Sequence, residues 1–249
     1  MKPAFRSFLV AGERRRAAFV ADLSAPAPEV DVDFHYALAQ DAPPGWVSLG
    51  PAPWMQRPLR LGHLSSRLPN MPLLLPFGRK PRTGFRELTT ADPRMSRLWG
   101  RFSVDVPVAM ERDAKLVGER IFGRPDAGYR VFIMEDGDRY AIRAMCIFAV
   151  KDSVGYVIEL LHDRTLEGMR DGSHVLGLAL RAMSDAGATV ARATSLARSG
   201  TMPLFLRHAF VGARADAHVI VRAVDPALAD LVTNRERWYL SYLDLEDPG

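Results

Sequence analysis

At 249 residues, with 48% apolar and 25% charged residues and a net charge of +4, the chain has an ordinary globular composition and enough length for one large core or one and a half. The single cysteine, Cys146, excludes an internal disulfide and a cysteine-built zinc site, and its place in the apolar run Ala144 to Val150 reads as a buried thiol. No apolar stretch is long enough to span a membrane and the apolar start breaks off at Glu13-Arg14-Arg15-Arg16, so a cytoplasmic location with no membrane partner is expected.

The charge is uneven. Residues 1 to 104 carry 15 Lys and Arg against 8 Asp and Glu, whereas residues 105 to 249 carry 18 against 21. A basic half attracts phosphate-bearing ligands. Three consecutive arginines without repeating aromatic neighbours do not make a nucleic-acid surface, and nucleic acid ranks last among the expected partners.

In chain order, residues 3 to 23 read as an amphipathic helix with Phe5, Phe8, Leu9, Phe19, Val20 and Leu23 on one face. Val32 to Ala39 alternates as a strand. Trp46 to Leu49 and Trp54 to Leu61 read as short strands that Pro51, Pro53 and Pro58 confine to edges. The apolar run Met71 to Phe77 lies among prolines and reads as a surface loop, a candidate contact for a homo-oligomer or partner. Phe85 to Thr89 is a strand; a helix follows from Asp92 to Phe102, with Asp92 as cap and Pro93 in its first turn, and a second runs from Arg112 to Phe122.

Tyr129 to Glu135 and Tyr140 to Val150 read as a hairpin turned by Asp136-Gly137-Asp138, and Lys151-Asp152-Ser153 turns the chain into a third strand, Val154 to Leu161. From Ser173 to Ala186 the apolar period becomes helical and stops at Gly187, before a strand over Thr189 to Leu196. Strand, helix and strand form a parallel crossover unit, with any ligand site at its carboxyl edge. A short helix over Met202 to Ala209, a strand over His218 to Val224, a helical turn from Pro226 to Val232 and a last strand over Trp238 to Leu243 complete the chain.

This order resembles the GNAT superfamily of acyl-CoA-dependent N-acyltransferases. Glu111-Arg112-Asp113 with Leu116, Arg120, Pro125 and Tyr129 is similar to the segment opening the GNAT-like proteins associated with bacterial polysaccharide biosynthesis. Gly155-Tyr156-Val157-Ile158-Glu159-Leu160-Leu161 resembles their fourth strand, Leu206-Arg207-His208-Ala209-Phe210 their Leu-x-x-x-Gly-Phe, and Trp238 to Asp244 their closing Trp-x-x-x-x-x-Asp. The match covers about residues 92 to 247. Gly45-Trp46 and Trp54 to Gly62 look like the end of an additional N-terminal half. The resemblance implies an α/β (α+β) fold, a GNAT-like mixed central sheet flanked by helices, with a partial GNAT-like unit over residues 1–90 and an acyltransferase domain over 91–249.

It also implies chemistry. Acetyl-CoA or another acyl-CoA would lie between the splayed fourth and fifth strands, against Leu160, Leu161 and Ser195. Its pyrophosphate would rest at a helix start near Gly172, on Arg170, Gly172, Ser173 and His174. The usual phosphate loop, Gln or Arg, two residues, Gly, one residue, Gly or Ala, has no match here, and Asp171 would repel the anion. Acyl transfer to an amine needs a base and a donor for the leaving thiolate. Glu159, His162, Ser199 and His208 are the candidates, Glu159 and His162 each having a structural counterpart reading as an ion-pair and a loop residue. The usual tyrosine after the fifth strand is missing from residues 196 to 210. No hydrolase elbow, Walker loop, Rossmann glycine signature or histidine metal pair is present. The expected activity is acyl transfer to an amine of a small molecule or sugar; the alternative is a non-catalytic GNAT-like binding module.

Overall fold

A computed structural model describes residues 5–24, 31–65, 67–73, 80–138, 140–196 and 200–245. Its first element corrects the expected helix over residues 3 to 23. Phe5–Val10 (β1) and Glu13–Phe19 (β2) are antiparallel strands, and Ala11 and Gly12 turn between them with φ of 52° and 85°. Phe8, Val10 and Ala17 are buried while Arg14 and Arg16 are exposed. The apolar residues obey a period of two, and the left-handed pair that glycine permits at the tip lets the chain reverse.

Phe34–Ala39 (β3), Val47–Pro51 (β4), Trp54–Pro58 (β5) and Phe85–Leu88 (β6) follow. The first helix, Arg94–Phe102 (α1), starts where the Asp92 carboxylate accepts the Arg94 N–H at 2.9 Å. After Val108–Met110 (β7) comes Ala114–Val117 (α2), capped by Asp113, which accepts the Leu116 N–H at 2.8 Å, and continued by a wider π-type turn over Gly118–Phe122. Arg130–Glu135 (β8), Ile142–Lys151 (β9) and Val154–His162 (β10) form the expected antiparallel set, with Asp152 and Ser153 at φ of 49° and 63° in the second turn.

Leu166–Asp185 (α3) leads to Val190–Thr194 (β11), Met202–Arg207 (α4), Val211–Gly212 (β12), His218–Ala223 (β13) and Ala229–Val232 (α5). The closing strand expected over Trp238 to Leu243 is not formed. Trp238 makes one bridge to Val108 and Tyr242–Asp244 is a 3-10 turn. Of the expected surface loop over Met71 to Phe77, residues 74–77 lie outside the described residues, and Met71 is exposed.

The strands make two mixed sheets, ordered β4-β13-β3-β2-β1-β7 and β12-β5-β11-β10-β9-β8-β6. Each takes an inner strand from the other end of the chain. β13 lies between β3 and β4, and β5 lies between β11 and β12. The two sheets also repeat one sequence of orientations: antiparallel, parallel, antiparallel, antiparallel runs through β1, β2, β3, β13 and β4 and again through β9, β10, β11, β5 and β12. A cut near residue 90 therefore does not separate them. Only residues 20–33 join the parallel pair β2 and β3, too few for a counterpart of the 20-residue α3 that joins β10 and β11. Pro51 and Pro58 end β4 and β5 without interrupting them, so β5 is internal rather than the expected edge.

One core cluster includes Phe8, Phe34, Phe102, Ile158, Trp238 and Tyr239; a second packs α3 on its sheet through Val175, Leu176, Ala179 and Met183. α3 begins seven residues before the expected Ser173. Its first turns carry Gly168 and Gly172, which read as a loop in sequence but are packing requirements in space. A Cβ on Gly168 would sit 2.4 Å from the Asp163 carbonyl oxygen, and one on Gly172 would sit 2.9 Å from Leu204 Cδ1 and 3.0 Å from His162 Cβ. Gly172→Ala is therefore expected to cost about 1–3 kcal/mol, measured as a lower urea midpoint; an unchanged midpoint would mean that α4 yields freely.

Candidate active site

β10 and β11 run parallel and pair only from Val154 opposite Val190 to Tyr156 opposite Arg192, although both strands continue. A bulge at Ile158, between Val157 and Glu159, bends β10 just past this point. The two strands thus part in the middle of the sheet. Two side chains occupy the gap, Glu159 from β10 itself and Tyr239 from the C-terminal segment. Leu160, four residues past the last pair, gives its N–H to Glu159 Oε1 at 2.9 Å, and its carbonyl accepts the Tyr239 hydroxyl at 3.1 Å. At the outer end, His162 Nε2 lies 3.1 Å from the Gly200 carbonyl, so the loop after β11 is tied back to β10.

Glu159 anchors a buried network that joins both sheets. Its Oε1 also accepts the Tyr239 hydroxyl at 2.5 Å, and its Oε2 accepts Arg112 Nε at 2.7 Å and the Ser241 hydroxyl at 2.8 Å. Arg112, fully buried just after β7, also reaches the Asp244 carboxylate and the Met110 carbonyl, and its guanidinium faces the rings of Trp99 and Tyr239 at 5.2 and 4.8 Å. Burial opposes its charge, but Asp244 and Glu159 outweigh that and hold it protonated. Burial first, then the Glu159 charge, pushes the Tyr239 phenol well above its ordinary range, so it remains a hydrogen-bond donor.

Arg6 and Tyr36 extend the network by bonding the Asp244 carbonyl. Burial pushes the Tyr36 phenol up to about 12 from 10.0. The folded state thus keeps a proton that the unfolded chain releases above pH 10. Stability is intact below that value and falls by on the order of 1.4 kcal/mol per pH unit until the folded value is reached. Unfolding free energies measured at pH 9 and 11 are expected to diverge less in Tyr36→Phe than in the parent; equal slopes would refute the assignment.

The other expected site residues fall in several places. Leu160 and Leu161 are buried on β10. Ser195, just past β11, lies 3.2 Å from the Thr201 hydroxyl. Arg170, Gly172, Ser173 and His174 lie in the second and third turns of α3, which corrects the expected helix start near Gly172; inside a helix the amides already bond the carbonyl one turn back. Arg170 is exposed, His174 is buried, and the Ser173 hydroxyl lies 3.0 Å from His208 Nε2. The true start is capped by Thr165, whose hydroxyl accepts the Gly168 N–H at 3.0 Å, leaving the N–H groups of Leu166 and Glu167 outside the helical ladder. His162 Nδ1 lies 2.7 Å from the Asp163 carbonyl, so both ring nitrogens face carbonyl oxygens. Ser199 lies outside the described residues.

On the sheet face away from α3, cavities of about 610 and 490 Å³ meet at Tyr156. A smaller hollow joins them through Tyr129 and Tyr242.

No family model matches the sequence, and no curated protein matches it significantly. Solved structures do. N-myristoyltransferase of Saccharomyces cerevisiae, with bound myristoyl-CoA, superposes with a TM-score of 0.59 at 14% identity, over 88% of this chain and 61% of that one. A conserved Enterococcus faecalis protein described as a probable N-acyltransferase superposes with a TM-score of 0.56 at 9% identity, over 90% of this chain and 58% of that one. The fold is that of the acyl-CoA N-acyltransferases. The chain spans about three fifths of the length of both neighbours.

Within the acyltransferase fold, the residues that sequence reading missed are Tyr239, which reaches the strand gap at Leu160, and Arg112, which pairs with Glu159 behind it. Their signal was present in Glu111-Arg112-Asp113 and in the Trp238 to Asp244 motif, whose ends meet as the buried Arg112–Asp244 pair. Nothing local to either segment reveals that both converge on Glu159.

Proposed function

We propose that the chain is an acyl-CoA-dependent N-acyltransferase that acylates an amine of a small molecule or sugar by direct attack in a ternary complex. The observation that carries this reading is the parting of β10 from β11 after Tyr156, a gap occupied at Leu160 by the Glu159 carboxylate and the Tyr239 hydroxyl, which a thioester-bearing arm would replace. Support comes from the fold shared with a protein that holds myristoyl-CoA. The resemblance to polysaccharide-associated proteins favours a sugar among the acceptors, and acetyl-CoA is the simplest donor.

In this reading the arm lies along β10, with its pyrophosphate toward the open amides of Leu166 and Glu167. The amine nitrogen attacks the thioester carbon, the carbon–sulfur bond breaks, and the thiolate leaves. Tyr239 is the donor that meets the sulfur, its one hydroxyl proton turning from Glu159 Oε1 and the Leu160 carbonyl. Glu159 positions Tyr239, held in turn by Arg112, Ser241 and the Leu160 amide. With Glu159 and His162 both engaged, the amine sheds its proton to water. kcat/KM is then expected to keep rising with pH up to the acceptor's own ammonium pKa, and a plateau near a histidine value of about 6.5 would instead identify an imidazole base.

Thermal shift with acyl-CoAs of increasing chain length tests the reading directly. At a hundredfold excess over Kd, stabilisation of about 2.7 kcal/mol raises Tm by about 5–10 °C for a chain of this size. The non-catalytic module has its own support, since Leu160 already spends both backbone groups on Glu159 and Tyr239. It predicts no shift with any acyl-CoA.

A further inference from the structure

The cavities that meet at Tyr156 share one floor, fixed by strand register. Ala149 lies opposite Tyr156, Tyr156 opposite Arg192, and Arg192 opposite Gln56, so this row crosses β9, β10, β11 and β5 on a single face. Lys151, two residues beyond Ala149, is on the same face and lines the larger cavity, while Arg192 lines the other. Neither cation has a carboxylate partner among the described residues, whereas Arg214, on the rim, is paired with Asp216 at 3.5 Å. Trp54 and Tyr242 stack with centroids 5.1 Å apart and planes at 25°, and Tyr156 meets Tyr242 edge-on at 5.5 Å.

Flat aromatic surface packs against the C–H face of a sugar ring, and unpaired cations beside it attract an anionic substituent. Lys151 and Arg192 are exposed to the groove, whose lining also includes Asp126 and Asp216; a neutral acceptor would not use the two cations, and a long apolar chain would bury them without partners. We propose that this groove binds a phosphorylated amino sugar, its ring against the Trp54–Tyr242–Tyr156 cluster and its phosphate drawn to Arg192 and Lys151. The amine would be the acceptor of the acyl group, which rests on the transferase reading above; the binding itself does not.

Calorimetric titration of the full chain with glucosamine 6-phosphate and with glucosamine, without CoA, tests the proposal. The phosphorylated sugar is expected to bind at least tenfold more tightly, with affinity falling as salt is raised. Arg192→Ala and Lys151→Ala should each weaken it by about tenfold, while Arg181→Ala, at the far end of α3, leaves it unchanged. Equal binding of the neutral sugar, or indifference to both substitutions, overturns the proposal. So does stronger binding of adenosine 3′,5′-bisphosphate competing with the sugar phosphate, which would assign the groove to the nucleotide end of CoA. Acyl-CoA titration is read separately, so a failed transferase reading with retained sugar-phosphate binding is distinguishable from the reverse.

Discussion

Arg112→Ala is expected to lower the free energy of unfolding by about 3–5 kcal/mol, because it strips the partner from two carboxylates that have no access to water. Glu159 and Asp244 both meet Arg112, and all three side chains are fully buried. Removing the cation leaves two like charges in one low-dielectric site, and one must take a proton or the segment after Trp238 must move away. Either outcome lowers Tm by roughly 6–20 °C. Glu159→Gln, which keeps a carbonyl for Arg112 and Ser241, should cost less than the alanine change. Urea denaturation of both variants decides the matter. A loss below about 1 kcal/mol, the worth of an exposed pair, would mean that water reaches the network.

Tyr239→Phe is expected to reduce kcat by about a hundredfold or more while leaving acyl-CoA affinity within a few-fold, the pattern for a donor that acts only as charge develops on the leaving sulfur. The change removes one hydroxyl and keeps the ring that packs on Phe102 at 4.9 Å and under the Arg112 guanidinium. Its structural cost is therefore confined to the lost bond to a buried carboxylate, about 1.5–3 kcal/mol. Ser241→Ala removes another Glu159 partner from the opposite oxygen and should affect stability similarly but kcat little. Equal losses of kcat in both variants would place Tyr239 among the groups that merely hold Glu159.

These two variants probe what the sequence left hidden. Glu159 looked like a base at a strand end, with an arginine pair as its alternative, and the fold realises that pair and adds Tyr239, Ser241 and the Leu160 amide. A carboxylate at the edge of a cleft and one at the centre of a buried network have the same local sequence. What separates them is which distant segments arrive beside them, here from residues 112 and 239–244. Likewise Gly168 and Gly172 carry the mark of a loop, because a helix interior disfavours glycine unless another backbone must come close. That need arises only once Asp163 and Leu204 are in place.

The sequence by itself determined the local grammar of the second half. The hairpin turns at 136–138 and 151–153, the helix stop at Gly187, whose φ is +94°, and the order of strands and helices from β8 to β13 followed from period and turn chemistry, which act over a few residues. The first hairpin escaped because its apolar spacing fits either period once the turn at Ala11-Gly12 is overlooked. Tertiary structure alone decided the exchange of β5 and β13 between sheets, the parting of β10 from β11, and the row of Tyr156, Arg192 and Gln56. Those depend on backbone hydrogen bonds and ion pairs between residues up to 189 apart, as in Phe34 opposite Ala223, and such partners are chosen by burial and register in the assembled core.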